Sequence, residues 1–186
     1  MKIKLLGKNL EELKQLVLEE GLPAFTAKQI AQWLYQKKVR SIDEMTNLSK
    51  AARASLSEKY EVGVVEYSGL QISSDGTKKY LFPVNCTHKK GVNLGCSGKI
   101  TEEGLEASAV EAVMIPDADR ATLCVSSQAG CRMGCKFCMT GRQGFHGHLS
   151  AADIISQFIA VDESDKLTNT VFMGMGEPLD NYDNVM

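Results

Sequence analysis

Apolar residues in the first 60 positions recur at the spacing of amphipathic helices. The first predicted helix follows Asn9, a typical N-cap, and ends near Gly21. Its apolar positions are Leu10, Leu13, Leu16 and Val17. A second helix is predicted over 26–38 and a third over 49–60. Residues 1–62 are therefore expected to form a small helical domain.

After Gly63 the pattern changes to the alternation of β-branched and polar residues that is typical of strands. Two such runs, 64–73 and 79–84, flank an Asp-Gly pair, which indicates a hairpin turn. The following stretch, 85–108, has scattered glycines and no periodicity, so it is predicted to be a long loop or surface insertion. We expect residues 63–109 to form this hairpin and an irregular insertion.

Apolar runs return in the last third of the chain. They predict a strand at 110–115, a strand at 121–125, a glycine-rich loop at 128–147, a helix at 150–161, a short buried strand at 169–173 and a new helix from 181. The predicted buried stripe of the first of these helices comprises Ile154, Ile155, Phe158 and Ile159. A strand, a helix and a second strand make the βαβ unit of a parallel sheet. Two such strands cannot cover both sheet faces, so residues 110–186 are expected to begin a larger α/β domain that is incomplete here.

Composition narrows the class of protein. Of the 186 residues, 44% are hydrophobic and 24% charged, values near the averages for soluble globular proteins. No apolar run approaches the ~20 residues that a membrane span needs, and the start lacks the apolar core of a signal peptide. We therefore expect a cytoplasmic protein without a membrane segment.

The net charge of −2 excludes a general positive field for nucleic acid. One segment differs, because residues 120–149 contain no Asp or Glu and four basic side chains: Arg120, Arg132, Lys136 and Arg142. These side chains are expected to contact RNA phosphates, to contact a cofactor or to lie on a solvated face. His146 and His148 are expected to face solvent or RNA phosphates rather than to bind metal.

Three of the six cysteines lie within eight residues, Cys131, Cys135 and Cys138, directly after a predicted strand. Clustered cysteines in a reducing compartment are typical of metal ligands or catalysts. A structural zinc ion usually takes four ligands, whereas an iron–sulfur cube held by three cysteines leaves one iron open for substrate. The spacing favours a catalytic cluster over two alternatives: a zinc site completed by Cys124, Cys96 or a histidine, and three unrelated cysteines. Cys86 and Cys96 are assigned to the surface insertion, with a loop metal site as the alternative.

The C-x3-C-x2-C spacing, with Phe137 before the last cysteine, resembles the signature of radical S-adenosylmethionine enzymes. The resemblance implies a 4Fe–4S cluster on the three cysteines, with S-adenosylmethionine chelated to the open iron and cleaved to a 5′-deoxyadenosyl radical. The string at 174–178, Gly-Met-Gly-Glu-Pro, is similar to the motif of that superfamily that contacts the methionine amino group. Gly174, Gly176 and Glu177 are therefore expected to bind the cofactor, since glycines permit close backbone approach and a carboxylate accepts an ammonium.

Longer strings resemble the family of dual-specificity RNA methyltransferases that modify carbon 2 of an adenine in 23S ribosomal RNA and in transfer RNA. They lie at 27–35, 43–46, 75–82, 110–113, 120–128, 140–145 and 171–179. The resemblance implies a partial (β/α)6 barrel preceded by a helical accessory domain. It also implies both RNAs as substrates, a flavodoxin-type electron donor and a monomer. The chain would be an amino-terminal half, inactive alone.

The resemblance further implies a two-stage reaction. A first S-adenosylmethionine methylates a carboxy-terminal cysteine, and a radical from a second activates that methyl group for addition to adenine. By position, Glu111 matches the proton acceptor and Cys124 the resolving cysteine that forms a transient disulfide. Without the resemblance, Glu111 is typical of a solvent-facing strand residue and Cys124 of a small buried hydrophobic residue.

Two other functions remain open from the sequence. A related radical enzyme methylates carbon 8 of the same adenine, and the accessory domain separates the two activities only weakly. The alternative from another class is a non-catalytic RNA-binding fragment in which the cysteines hold zinc. Such a fragment would be colourless.

Overall fold

The computed structural model describes residues 2–86 and 106–186. The chain divides into two compact units, Met1–Val64 and Val65–Met186. The first is mainly helical, and the second is built on a five-stranded sheet. No helix among the described residues has the length and apolar character needed to cross a membrane.

The first unit contains three helices and one small strand pair. Its elements are β1 (Ile3–Lys4), α1 (Leu10–Glu19), α2 (Phe25–Ala31) with a π-helical turn at Gln32–Gln36, a 3-10 turn at Ile42–Glu44, α3 (Lys50–Lys59) and β2 (Tyr60–Glu61). The predicted helices are confirmed, and Asn9 and Ser49 cap α1 and α3. Tyr60, predicted at the end of a helix, instead pairs with Ile3 in the parallel β1–β2 ladder.

An apolar cluster holds this unit together. Leu13, Ile30, Leu34 and Leu56 are fully buried in it, and each comes from a helix or from its π-helical extension. These positions carry the period of 3.6 residues that the sequence displays, so burial of one stripe per helix accounts for the unit.

The second unit contains β3 (Gly69–Ile72), β4 (Lys78–Cys86), β5 (Glu106–Asp117), β6 (Arg120–Cys124), β7 (Gln128–Gly130), α4 (Met139–Gln143), β8 (Phe145–His148), α5 (Ala151–Ile159), β9 (Asn169–Val171), a 3-10 turn (Pro178–Asn181) and α6 (Tyr182–Val185). The sheet order is β3-β4-β5-β6-β9, antiparallel except for the β6–β9 pair. That parallel pair with α5 between its strands is the predicted βαβ unit.

Several predictions for this unit are corrected by the structure. The loop predicted from residue 85 begins with strand, because Cys86 pairs with Glu106 and lengthens the β4–β5 hairpin. Residues 87–105, including Cys96, lie outside the described residues. The predicted glycine-rich loop contains the β7–β8 ribbon and α4. The strand predicted as buried is an exposed edge strand, because β9 has a described neighbour only on its β6 side.

The predicted buried stripe on α5 is only partly correct. Ile154 and Ile159 are buried, but Ile155 and Phe158 are only half-buried. The remaining buried positions include two polar residues, Ser156 and Gln157. They are buried because their side chains bind main-chain groups of neighbouring segments.

The sheet has one buried face and one open face. Tyr80, Phe82, Ala112 and Met114 alternate on the buried face, and the Tyr80 hydroxyl donates to Glu163 in the segment after α5 (2.7 Å). The open face carries the intervening positions, which are half-exposed or exposed. The hairpin β3–β4 is part of this same sheet, and a separate domain over 63–109 stays a prediction.

Candidate functional site

The two sequence motifs follow neighbouring parallel strands. The cysteine loop, residues 131–138, comes after β6 and the short β7, and the glycine turn, residues 174–177, comes after β9. The strands β6 and β9 are parallel, so their carboxyl ends meet at one edge of the sheet. In open α/β sheets this edge is where ligands bind.

The cysteine loop is anchored at Cys131, contains a turn that ends at Cys138 and is largely exposed. The Cys131 amide donates to the Gly144 carbonyl (2.9 Å), and the Cys138 amide donates to the Cys135 carbonyl (3.0 Å). All three cysteines are free thiols. Phe137, in the same loop, is 93% exposed. The loop therefore presents thiols and an aromatic ring on its surface without tying them to the protein core.

The environment of Cys138 favours its thiolate. The pKa of its thiol is lowered, chiefly because the Gly141 amide donates a hydrogen bond to the sulfur, with a further contribution from Thr140. Gly141 also lies close to the loop, since a Cβ at this position would be 3.2 Å from the Cys135 amide nitrogen. Thiolates are the form in which cysteines bind metals, so this local structure suits a metal ligand.

The chemistry of the donor set fits a cube of iron and sulfide. Cys131, Cys135 and Cys138 are free thiols in one loop, and the local structure lowers the pKa of the Cys138 thiol. In such a cube each cysteine thiolate binds a different iron. The residues present therefore fit a 4Fe–4S cluster.

Hydrogen bonds hold the glycine turn against the segment after β6. The Gly174 amide donates to the Val125 carbonyl (3.1 Å), and the Met175 amide donates to the Ser126 hydroxyl (2.8 Å). Gly176 has φ +97°, and a Cβ there would lie 2.5 Å from the Gln128 Cβ. This turn accepts only glycine at position 176 because both its backbone conformation and its contact exclude a side chain.

Glu177 ends the turn with its carboxylate at the edge of the sheet. One carboxylate oxygen accepts a hydrogen bond from the Leu179 amide (3.1 Å), which caps the following 3-10 turn. Anions are favoured at such a helix start. The negative charge is thus fixed on the residue that follows Gly176, and a carboxylate can accept hydrogen bonds from an ammonium group.

Glu111 and Cys124 lie on the open face of the sheet. Val113, two residues after Glu111, pairs directly with Cys124, so the three residues share that face. Glu111 forms an ion pair with Lys79 (3.1 Å). The two paired side chains line a cavity of about 250 Å³ that also involves residues of β3. Burial raises the pKa of the Cys124 thiol, and the Met173 amide opposes that effect by donating to the sulfur.

The structure contradicts the sequence-based expectation for His146, whereas the four basic residues are all exposed. Arg132 forms an ion pair with Asp180 (2.8 Å), and its guanidinium lies over the Phe145 ring (4.2 Å). His146 is buried, with its Nε2 3.1 Å from the Gln143 carbonyl. The prediction that His146 faces solvent or RNA is wrong, because the residue is 5% exposed and its ring packs close to Gly130 of β7.

His148 is exposed but has protein partners on both ring nitrogens. Its Nδ1 lies 3.1 Å from Gln128 Nε2, and its Nε2 lies 3.0 Å from Arg132 Nη2. Of the other basic residues, Arg120 pairs with Asp117 and Arg142 donates to the Lys136 carbonyl. Two of the four exposed basic residues, Arg120 and Arg132, are thus paired with carboxylates.

Sequence reasoning missed the polar side chains that support the two loops. They are Ser126, Gln128, Gln157, Asp180 and Asn181. One available signal was the run Ser126-Ser127-Gln128 directly after an apolar strand, since polar residues in a buried position need fixed partners. Asn181, for example, donates to the carbonyls of Ser127 and Leu149 (both 2.8 Å).

Two family models match the chain. One describes the N-terminal domain of the ribosomal RNA large subunit methyltransferase and matches residues 3–62. The other describes the radical SAM superfamily and matches residues 125–186. The matches fall in the helical unit and in the segment that contains both motifs.

Curated relatives resemble the chain along its length. A probable dual-specificity RNA methyltransferase RlmN from Bacteroides fragilis is 52% identical over 185 residues, 100% of this chain and 48% of the relative. One of the same name from Porphyromonas gingivalis is 50% identical over 185 residues, 100% of this chain and 47% of the relative. The chain thus spans about half the length of the curated relatives it matches.

A solved structure supports the fold. The crystal structure of a radical SAM methyltransferase from Sphaerobacter thermophilus matches with a TM-score of 0.78 and 33% identity, over 99% of this chain and 50% of that chain. The predicted fold class, the amino-terminal part of a radical SAM core preceded by a helical domain, is confirmed.

Proposed function

We propose, from the premise that the chain belongs to the RlmN family of radical S-adenosylmethionine RNA methyltransferases, that the protein methylates carbon 2 of an adenine in 23S ribosomal RNA and in transfer RNA. One observation carries the proposal: the three-cysteine loop and the glycine turn follow neighbouring parallel strands and meet at one sheet edge. This placement supports a common site for two motifs with separate ligand chemistry.

Each motif is assigned one of the two cofactors. Cys131, Cys135 and Cys138 would hold a 4Fe–4S cluster, and Gly174, Gly176 and Glu177 would bind S-adenosylmethionine. Two observations support this assignment. Gly176 lies so close to Gln128 that only glycine fits there, and Glu177, the next residue, has its carboxylate held by the Leu179 amide. When bound together, the cluster and S-adenosylmethionine would supply radical chemistry. Carbon 2 of adenine requires such chemistry because it has neither an acidic proton nor a leaving group.

Glu111 is proposed as the base that takes the carbon-2 proton from the covalent adduct, after the methylene radical has added to adenine. Its position on the open face, beside a cavity, gives a nucleobase access to the carboxylate. Lys79 donates to one carboxylate oxygen and so restricts the orientation of the group. General bases work only within hydrogen-bond reach of the proton they take, so this orientation matters for the step.

Cys124 is proposed as the resolving cysteine. Burial raises the pKa of its thiol and keeps the group protonated at neutral pH, which protects it from oxidation between turnovers. The Met173 amide can stabilise the thiolate when it forms. The thiolate would attack the sulfur of the family's methyl-carrying cysteine and break the bond between that sulfur and the transferred carbon. The carbon would keep the electron pair and take up a proton, so that methylated RNA is released and the two cysteines remain as a transient disulfide.

The same proposal includes the partners of the reaction. Both RNAs are substrates, a flavodoxin-type protein donates electrons, and the enzyme works as a cytoplasmic monomer. Lys136 supports RNA contact because it is exposed on the cysteine loop, whereas Arg132 is engaged by Asp180.

Metal analysis with a cysteine variant tests the proposal. The full-length protein is purified without oxygen and reconstituted with iron and sulfide, beside the triple variant Cys131→Ala, Cys135→Ala, Cys138→Ala. We expect about four irons per wild-type chain, as one cube requires, and cleavage of S-adenosylmethionine on reduction. The triple variant is expected to do neither, because no ligands remain.

Cys124→Ala is the matched control, since it removes a thiol outside the loop. It should retain iron and cleave S-adenosylmethionine, but fail to release methylated RNA. Chromatography of the digested wild-type RNA product beside 2-methyladenosine and 8-methyladenosine standards then distinguishes carbon 2 from carbon 8, since the two isomers have the same mass. Stoichiometric zinc without iron in the wild type would overturn the proposal in favour of a zinc-stabilised RNA-binding module.

A further inference from the structure

A single buried side chain joins the two motif loops. Gln128, at the start of β7 and three residues before Cys131, is 0% exposed. Its Oε1 accepts a hydrogen bond from the Glu177 amide (2.9 Å), and its Nε2 donates to Asp180 Oδ2 (2.7 Å). Its main-chain amide donates to the Met175 carbonyl (3.2 Å). One residue thus binds the glycine turn and the segment after it at three points.

A second link closes the connection from the other side. Asp180 Oδ2, which accepts from Gln128, also pairs with the Nε of Arg132 (2.8 Å). Arg132 lies inside the cysteine loop, next to Cys131. The path Glu177–Gln128–Asp180–Arg132 therefore runs from the glycine turn to the cysteine loop through charged or buried hydrogen bonds.

Packing leaves this junction little freedom. The Cα of Gly176 lies so close to Gln128 that a Cβ would be 2.5 Å from the Gln128 Cβ and 2.7 Å from its amide nitrogen. Amide donors and acceptors are directional, and here all three side-chain contacts of Gln128 hold protein groups that belong to either motif or support one. A role limited to filling the core would need none of them.

We propose that Gln128 is a positioning residue that fixes the Glu177 turn relative to the cysteine loop, so that both motifs bind one S-adenosylmethionine. Asp180 transmits the same constraint to Arg132. The inference rests on the proposed function, because it assigns the two loops to a common ligand. It makes Gln128 responsible for cofactor affinity and not for cluster assembly.

Gln128→Met tests the role. Methionine keeps the length and volume of the side chain but provides no donor for Asp180 and no strong acceptor for the Glu177 amide. Groups that orient ligand-binding residues typically change affinity by about tenfold or more, so we expect the dissociation constant of S-adenosylmethionine to rise by at least that factor. Iron content should stay at the wild-type level, because the cysteines are untouched.

Two readouts separate positioning from general destabilisation. Equilibrium binding measures S-adenosylmethionine affinity, and the electron paramagnetic resonance spectrum of the reduced cluster reports whether added S-adenosylmethionine reaches it. Tyr80→Phe is the matched control, since it removes a buried hydrogen bond to Glu163 in the same unit without touching either loop. It should lower the melting temperature and leave both readouts unchanged.

Asp180→Asn provides the second variant, in case Gln128→Met fails to fold. It keeps an acceptor for Gln128 but removes the charge that holds Arg132, so a smaller loss of affinity than for Gln128→Met is expected. Wild-type affinity in these variants, with normal iron, would overturn the positioning role. A wild-type protein that binds neither iron nor S-adenosylmethionine would instead overturn the proposed function.

Discussion

Each of the two units is stabilised by a different kind of interior. Among the described residues of Met1–Val64, buried polar groups are few: Thr26, and the hydroxyl of Tyr60, which donates to Glu20 (2.9 Å). The unit Val65–Met186 buries several polar side chains: Ser126, Ser127, Gln128, His146, Ser156, Gln157 and Asn181. Apart from Ser156, these lie in the segment after β6 or contact it.

The difference follows from what each interior must do. Burial of apolar surface is non-directional, so it stabilises a helical unit without fixing individual atoms. Buried hydrogen bonds are directional and are costly if left unmade. They fix the backbone of two loops that must meet a ligand, which an apolar core would leave adjustable.

The largest expected effect on stability comes from a substitution in the apolar interior of the first unit. Leu34→Ala removes a fully buried side chain of the first unit and should lower the free energy of unfolding by about 2–5 kcal/mol, the range for buried leucines. Urea denaturation of the full-length protein measures it. Iron content of the folded protein should be unchanged, because no proposed ligand lies in that unit.

Leu18→Ala is the control for Leu34→Ala, since Leu18 belongs to α1 of the same unit but is 61% exposed. It should change stability far less. Equal losses in the two variants would contradict an interior organised by the apolar stripe.

The sequence predicts the interior of the first unit better than that of the second. The helices and their caps at Asn9 and Ser49 follow from local periodicity and hydrogen-bonding side chains. The strands and motif loops of the second unit are also predictable. The partners of Gln128 are not, because Asp180 and Glu177 lie 52 and 49 residues away along the chain and only the fold brings them together.

The burial on α5 shows the same limit. Periodicity identifies Ile154 and Ile159 correctly, but it cannot identify Gln157, whose side chain binds both the amide and the carbonyl of Ser126 (2.9 Å each). A glutamine in a helix is usually read as solvent-facing. Its burial depends on main-chain groups just after β6 that only tertiary structure supplies.

Gly176→Ala tests the hydrogen-bonded interior of the second unit at one backbone position. The left-handed conformation alone costs about 1–2 kcal/mol for a residue with a Cβ, and displacement of Gln128 adds to that loss. We expect lower stability together with weaker S-adenosylmethionine binding, measured by denaturation and by equilibrium binding.

Gly21→Ala isolates the backbone part of that effect. Gly21 has φ +69°, but among the described residues nothing beyond its chain neighbours lies within 4 Å of the position that a Cβ would occupy. Its substitution should cost the conformational energy only and leave S-adenosylmethionine affinity intact. A loss for Gly176→Ala no greater than that for Gly21→Ala would show that contact with Gln128 contributes nothing.

The smallest expected effect comes from removing a helix N-cap, a feature that both units contain. Ser49 caps α3 in the first unit by accepting from the Ala52 amide, and Ser150 caps α5 in the second by accepting from the Asp153 amide. Each substitution to alanine should lower the free energy of unfolding by about 1 kcal/mol, as N-caps generally do. Ser150→Ala should also weaken S-adenosylmethionine binding slightly, because α5 carries the Gln157 that holds Ser126 against the glycine turn. Denaturation and binding measurements on both variants check this, and an equal change in affinity for Ser49→Ala would contradict a constraint confined to the second unit.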